Sequence, residues 1–167
     1  EFRRVLFRSL VISQVIFCFV QWSIEMLLLA VALIIAGSPI IPWLPVAVLL
    51  MVCLAVYAAG FALALSAAAV FFRDLRYLWS ILVQVMFFAT PIIYTPDRLE
   101  GKLPAVIDFI FTWNPMAVFI LTFRHMLYGG AAPNWGEMLY VVVVSVAVFI
   151  VGWAIFSRLS RRVAEEL

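Results

Sequence analysis

The side chains of this sequence that could do chemistry are polar groups set into long apolar stretches. Glu25 lies deep in the first stretch, where an acidic residue costs about 2.5–3.5 kcal/mol on membrane-insertion scales. Such a carboxylate must face the bundle interior, a partner or water. A functional role and a structural buried pair both fit it, because the sequence identifies no partner.

The sequence offers no catalytic or metal-binding constellation. His125 is the single histidine, and beside Arg124 it fits an interfacial polar residue better than a base. The run Gly101-Lys102-Leu103 lacks the upstream glycine and the hydroxyl residue of a phosphate-binding loop. We therefore predict a chain that is not an enzyme and has no metal or cofactor residues. ATP with magnesium, if it is used, binds another chain.

A polar and aromatic stripe marks the segment from Tyr77 to about Tyr94. Its members at helical spacing are Tyr77, Ser80, Gln84, Phe88 and Pro91, with Phe87 and Tyr94 beside them. Aromatic faces stack on sugar rings, so this stripe suits a channel lining for a sugar chain or a lipid-linked substrate. Ordinary helix packing with interfacial aromatic residues explains it equally well.

The segment Phe71–Tyr77 is a short charged turn between two apolar stretches. It presents Arg73, Asp74 and Arg76. These residues could simply anchor the topology, or they could form a docking element for a soluble partner.

Composition indicates which elements position these groups. Of the 167 residues, 68% are hydrophobic and 12% are charged, with a mean hydropathy of +1.19. Soluble domains are about 45–50% apolar and about 25% charged. Barrel strands would alternate polar and apolar residues. The sequence therefore predicts an all-α, polytopic membrane helix bundle.

The formal net charge of +2 depends on residues 1–9. Their back-translation resembles a sequencing-library adapter, so we expect them to be a translated artefact and residues 10–167 to be a truncated membrane domain. A basic, signal-like segment is the alternative. Without residues 1–9, basic and acidic residues are equal in number, so the charge does not indicate nucleic acid or another acidic partner.

Four stretches approach the roughly 20 apolar residues that cross a bilayer. They run from about Leu10 to Ala36, Pro45 to Phe72, Tyr77 to Tyr94 and Met138 to Phe156. The second carries Gly60, Ala64 and Ala68 at four-residue spacing, a small-residue face that favours close helix packing over a subunit contact.

The region from Pro104 to Tyr128 is apolar but interrupted. Asn114-Pro115 is typical of an N-cap followed by proline at the first helical position, and Gly129-Gly130 is a C-terminal stop. We predict two short helices, Pro104–Thr112 and Pro115–Tyr128. Both fall short of a span, which makes them re-entrant or interfacial.

Positive charge sets the orientation. If the two short helices do not cross, one side of the membrane collects most of the arginines. These are Arg73, Arg76, Arg158, Arg161 and Arg162. That side is then cytoplasmic and includes the C-terminus, and residues 95–137 face outward. The last span opens with Asn134 to Glu137, which resembles a capping box.

The motifs together resemble the ABC-2 type permeases, in particular the exporters of O-antigen, capsule or teichoic-acid precursors. In chain order they are Arg73-Asp74, Gln84, the run from Phe87 to Tyr94, Asn114-Pro115, Phe123-Arg124 and Gly129-Gly130. The resemblance runs from about Leu10 to Leu167. Its specificity lies in the combined order of Arg-Asp, Thr-Pro and Asn-Pro.

The resemblance implies a six-helix permease subunit, of which this chain would supply helices three to six. The family's N-terminal amphipathic helix, first two spans and principal coupling loop have no counterpart in it. It also implies a permease homodimer with two copies of a separate ATP-binding subunit. Arg73, Asp74 and Arg76 would then help to couple the ATPase, and Asn114, Pro115 and Arg124 would belong to the outer gate.

These observations lead us to expect a subunit of a multi-pass exporter in the bacterial cytoplasmic membrane. It would contact membrane lipid and move a polysaccharide or lipid-linked glycan outward. An ABC-2 permease for a drug or other small substrate would have the same architecture. A membrane-embedded enzyme acting on polyprenyl-linked sugars would need charged clusters at a membrane face, and the outer segment offers only scattered Asp97, Glu100 and Asp108.

Overall fold

The computed structural model describes residues 2–72, 74–90, 92 and 113–165, and within these ranges every regular element is helical. The α-helices are α1 (Phe2–Ile35), α2 (Leu44–Phe71), α3 (Leu75–Ala89), α4 (Pro115–Leu127) and α5 (Trp135–Glu165), and a 3-10 helix, Ile41–Trp43, precedes α2. The predicted all-α membrane bundle is confirmed. The predicted helix Pro104–Thr112 lies outside the described residues.

Three of the four predicted spans are helices long and apolar enough to cross a membrane. They comprise Ile12–Ile35, Ile41–Phe71 and Trp135–Leu159. The stretch predicted from Tyr77 to Tyr94 contains α3, which has 15 residues and is therefore about 22 Å long. It ends at Ala89 because the Thr90 backbone is extended, as expected for a residue that precedes proline.

The closest helix pair is α2 with α5, and it packs through glycine. A Cβ atom on Gly60 would lie 2.6 Å from the carbonyl oxygen of Val148, and one on Gly152 would meet the backbone of Gly60. Gly60, the first residue of the predicted small-residue face of α2, therefore serves helix packing. Its counterpart on α5, Gly152, was not predicted, because a single glycine forms no repeating pattern.

α2 and α5 run in the same direction. Near their N-terminal ends, Leu50 and Val141 belong to one buried cluster, and near their C-terminal ends Leu63 and Phe156 belong to another. The end of α2 and the end of α5 therefore lie at the same end of the bundle. α3 follows α2 and must run back toward the opposite end, where α5 begins.

The core at the end where α2 and α5 begin is completed by α4. Phe119 and Met126 of α4 are fully buried there with Leu50 and Val141. α1 packs against α2 and is otherwise largely uncovered by the described residues, with side chains such as Phe17, Leu27 and Leu28 exposed. One apolar stripe of α1 faces the bundle, and the rest of the surface of α1 is suited to contact with lipid or with further protein.

Candidate functional site

The charged turn is shorter than predicted. The prediction of a loop over Phe71–Tyr77 is wrong at both ends, because α2 continues through Phe71 and α3 begins at Leu75. The carbonyl group of Phe72 accepts from the amide of Leu75 at 3.2 Å, and that of Asp74 accepts from the amide of Tyr77 at 3.0 Å. Only residues 72–74 separate the two helices, and of these the structure describes Phe72 and Asp74.

The side chains at this turn point outward. Asp74 and Arg76 are both exposed, and the Asp74 carboxylate does not cap α3. Arg73, the third residue predicted to couple to an ATPase, lies outside the described residues. Asp74 and Arg76 are therefore presented at the end of the bundle where α5 also ends.

The predicted channel-lining stripe is exposed along α3. Tyr77, Ser80, Gln84, Phe87 and Phe88 all lie on the surface, and α3 has no buried residue. The hydroxyl group of Ser80 donates to the carbonyl group of Tyr77 at 2.7 Å, and the rings of Phe87 and Phe88 meet edge to face at 5.5 Å. Tyr94 and Pro91 lie outside the described residues.

α3 contacts α2 on its opposite face. The Trp79 ring lies 6.2 Å from that of Phe61. Within the described part of the chain, α3 packs on α2 through this opposite face, and the stripe lies on the surface.

Asn114 has two roles at the start of α4. Its Oδ1 accepts from the amide of Met116 at 3.0 Å, with Pro115 next to it in the first turn, so the predicted N-cap is confirmed. Its Nδ2 donates to Oγ1 of Thr90 at 3.3 Å and lies 3.5 Å from the carbonyl oxygen of Ala89. One side chain thus starts α4 and ties it to the end of α3.

A second bond joins the same two segments. Nη2 of Arg124 donates to the carbonyl oxygen of Ile92 at 2.9 Å. We call Thr90, Ile92, Asn114 and Arg124 the α3–α4 junction. Of the three predicted outer-gate residues, Asn114 and Pro115 start α4 and Arg124 lies further along it, and Asn114 and Arg124 bond to the segment at the end of α3.

Thr90 was not among the predicted site residues. It is only 3% exposed, and its hydroxyl group donates to the carbonyl group of Met86 at 2.7 Å while it accepts from Asn114. Its signal in the sequence was the Thr-Pro pair that contributed to the resemblance. Only the fold shows that this pair meets the Asn-Pro pair.

α4 is also bonded to α5. The buried hydroxyl group of Thr122 lies 3.2 Å from Oε2 of Glu137 and 2.8 Å from the carbonyl oxygen of Val118. The hydroxyl group of Tyr140 donates to the carbonyl group of Trp113 at 2.9 Å. We call Thr122, Glu137, Trp113 and Tyr140 the α4–α5 contact.

The predicted capping box at the start of α5 is half correct. Asn134 accepts from the amide of Gly136 at 3.0 Å, as a cap should. The Glu137 carboxylate accepts from Nδ2 of Asn134 at 3.4 Å and faces Thr122. The acidic residue therefore joins α4 to α5, and this tertiary role could not be predicted from a local motif.

The C-terminal end of α4 lies at the end of the bundle where α2 and α5 begin. The amides of Gly129 and Ala131 donate to the carbonyl group of His125 at 3.1 and 3.3 Å, which confirms the predicted glycine stop. Nε1 of Trp43, just before α2, donates to the carbonyl group of Gly130 at 2.9 Å. Both ends of α4 thus contact elements at the end where α2 and α5 begin, so α4 does not cross the bundle.

Glu25 lies on the exposed face of α1. Its Oε1 accepts from Nε2 of Gln21, one turn earlier, at 3.4 Å. The carboxylate therefore does not face the interior of the described bundle. Of the three environments predicted for Glu25, contact with a partner or with water remains.

Similarity to known proteins tests the resemblance. No family model matches the chain. Two O-antigen export system permease proteins RfbA from Klebsiella pneumoniae are 33% and 31% identical to it over 112 residues, which is 67% of this chain and 41% of each relative. The resemblance to O-antigen export permeases is confirmed. An O-antigen export system permease protein RfbA from Myxococcus xanthus is 26% identical over 103 residues, which is 62% of this chain and 39% of that protein.

These O-antigen export permeases are much longer than the matched region. The chain spans about two-fifths of the length of the curated relatives that it matches. The similarity therefore concerns a part of such a permease.

Proposed function

We propose that this chain is part of the permease subunit of an ABC exporter that moves a polysaccharide or lipid-linked glycan across the cytoplasmic membrane. The observation that carries the proposal is the 33% identity over 112 residues to an O-antigen export system permease. The helices that are long and apolar enough to cross a membrane support it. The chain is then a transport subunit, and ATP with magnesium is bound and hydrolysed by a partner subunit.

The proposed orientation places the turn at residues 72–74 and the end of α5 in the cytoplasm. These two features share one end of the bundle, and exposed Arg76 and Arg158 are found there. The positive-inside rule favours the cytoplasm for such an end. α4, with Trp113 and Tyr128 exposed beside it, then lies at the outer interface, where aromatic residues are enriched.

In this proposal, the ATP-binding subunit acts on the exposed turn. ATP shifts the exporter between two states only if its binding subunit contacts them differently. Asp74 and Arg76 supply charged groups for such a contact. The exposed stripe of α3 faces the substrate path, which a second copy of the permease completes.

The test is to replace Asp74 and Arg76 in a complete permease that carries this sequence, co-expressed with its ATP-binding subunit. We expect Asp74→Ala and Arg76→Ala to reduce surface glycan about tenfold, a typical coupling factor, with normal membrane insertion. ATP hydrolysis should continue, because coupling rather than the ATPase is lost. Arg158→Ala is the matched control, since it removes an exposed arginine from the same end.

Full export by both turn variants would refute the coupling role. Loss of export in Arg158→Ala to the same degree would show that general positive charge, rather than the turn, is required.

A further inference from the structure

One face of α1 carries side chains that form hydrogen bonds, although α1 includes a segment that is apolar enough to cross a membrane. That segment is Ile12–Ile35. Spacings of four, three and four residues put these side chains on one face of the helix, and all of them are exposed. We call them the α1 polar row, which consists of Gln14, Cys18, Gln21 and Glu25.

The described bonds of the α1 polar row stay within α1. Nε2 of Gln14 lies 3.7 Å from Sγ of Cys18, and Nε2 of Gln21 donates to Oε1 of Glu25 at 3.4 Å. Among the described residues, no other helix donates a hydrogen bond to Glu25. A carboxylate within a membrane span is costly unless a further polar group pairs with it. The row therefore requires a partner that the described residues do not supply.

The row borders a groove between α1 and α2 that has a volume of about 500 Å³. Gln14 and Cys18 of the row line this groove, and the rest of its lining is apolar. On the α2 side, Ala55 and Ala62 are small residues, which allow another helix to approach closely. The α1–α2 groove therefore offers an apolar surface beside a row of hydrogen-bonding groups.

Neither lipid nor water matches both parts of this surface. A lipid chain would fill the groove, but hydrocarbon offers no hydrogen bond to the row. Water would bond to the row, but an apolar lining does not hold water. A membrane-spanning helix matches both parts, because its apolar side chains fill the groove while a polar one pairs with Glu25.

The length of the row also favours a helix. Gln14 and Glu25 are eleven residues apart, which is about 16 Å along α1. A second copy of α1 does not fit, since a twofold axis along the membrane normal would bring two Glu25 carboxylates to the same depth, and like charges repel. The matched region is 41% of the length of each Klebsiella relative, so a complete permease has further chain that can supply a different helix.

We propose that the α1 polar row and the α1–α2 groove receive a membrane-spanning helix from another part of the complete permease, which presents a basic or amide side chain to Glu25. This inference rests on the proposed function, because it takes the chain to be part of a permease, and it adds an internal interface of that permease. The Glu25 carboxylate fixes the register of the two helices, since a single polar contact in an apolar interface permits only one alignment.

The test identifies the neighbour of the groove in the complete permease, co-expressed with its ATP-binding subunit. Phe19, which lines the groove, is replaced by its photoreactive derivative p-benzoylphenylalanine. Phe17, 64% exposed on the other side of α1, receives the same replacement as the matched control. After illumination, mass spectrometry identifies the cross-linked peptides and lipid adducts. We expect position 19 to cross-link within one permease subunit to a peptide outside residues 1–167, and position 17 to cross-link to lipid.

The ratio of peptide to lipid cross-links at position 19 reports how often the helix occupies the groove. Glu25→Leu should lower this ratio about tenfold, the factor for one hydrogen bond to a charged group, and it does not impair insertion, because it removes a charge from the span. Glu25→Gln retains an oxygen that accepts a hydrogen bond and should lower the ratio less. Leu27→Ala, on the exposed side of α1 away from the row, is the control and should leave the ratio unchanged.

The outcomes separate this inference from the proposed function. Mainly lipid adducts at position 19, a cross-linked permease dimer, or an unchanged ratio in Glu25→Leu would each overturn the interface. Surface glycan is measured in the same cells, so any of these results with normal export leaves the exporter proposal standing. Absence of glycan export by the parent sequence, with the cross-link at position 19 retained, refutes the exporter proposal and supports the interface.

Discussion

The α2–α5 pair and α3 are both apolar helices of one bundle, but they are fixed in opposite ways. α2 and α5 meet so closely that Gly60 and Gly152 leave no room for a Cβ atom. α3 has every residue at least partly exposed, packs on α2 through Trp79 and is bonded through Thr90 to Asn114. Small residues therefore build a rigid pair, whereas α3 is held by an aromatic contact and by hydrogen bonds near its ends.

The largest loss of stability is expected for a substitution that forces α2 and α5 apart. Gly60→Leu should destabilise the protein by about 3 kcal/mol or more, because the new side chain meets backbone that cannot yield. Unfolding of the purified protein in mixed micelles measures the change. Ala58→Val, on the exposed side of α2, adds volume to the same helix and should cost much less. Equal losses in the two variants would contradict the close α2–α5 packing.

A smaller effect is expected at the α4–α5 contact. Thr122→Val removes the hydroxyl group that faces Glu137 and should cost about 1.5–3 kcal/mol, the value of a hydrogen bond to a charged group. It should also loosen α4 from the rigid pair and leave the bonds to α3 intact. The rate of proteolysis in the connection between α4 and α5, compared with that of Thr122→Ser, measures this. Identical rates in the two variants would show that α4 is held by apolar packing alone.

The smallest effect on stability is expected on the exposed stripe of α3. Gln84→Leu should change the free energy of unfolding by no more than about 0.5 kcal/mol, as for other surface positions. Export should nevertheless fall several-fold if the stripe lines the substrate path. Val83→Leu, beside it and outside the stripe, is the control for both measurements. A large stability loss for Gln84→Leu would place α3 in the rigid part of the bundle.

Local signals in the sequence predicted local structure well. The Asn114-Pro115 cap and the Gly129-Gly130 stop both lie where predicted, because each depends on backbone geometry within a few residues. Gly60 of the small-residue face of α2 was correctly assigned to packing. The turn after α2 was predicted too long, since charged residues do not themselves end a helix and α3 begins beside them at Leu75.

Contacts between residues that are far apart in the sequence could not be predicted from local sequence patterns. Thr90 and Asn114 are 24 positions apart, and Trp43 and Gly130 are 87 positions apart. Nothing in the spacing of either pair indicates that they bond. The role of Glu137 was misassigned for the same reason, because its carboxylate faces Thr122 on another helix.

The sequence by itself determined that this is a helical membrane protein, where α4 begins, and where glycine stops it. These properties follow from apolar content and from caps, both of which are set by neighbouring residues. Only the tertiary structure decided that α2 and α5 run parallel in backbone contact and that α3 is bonded to α4 at Thr90. The reason is physical: close packing and a buried hydrogen bond depend on which surfaces meet, and that is settled only when the whole bundle assembles.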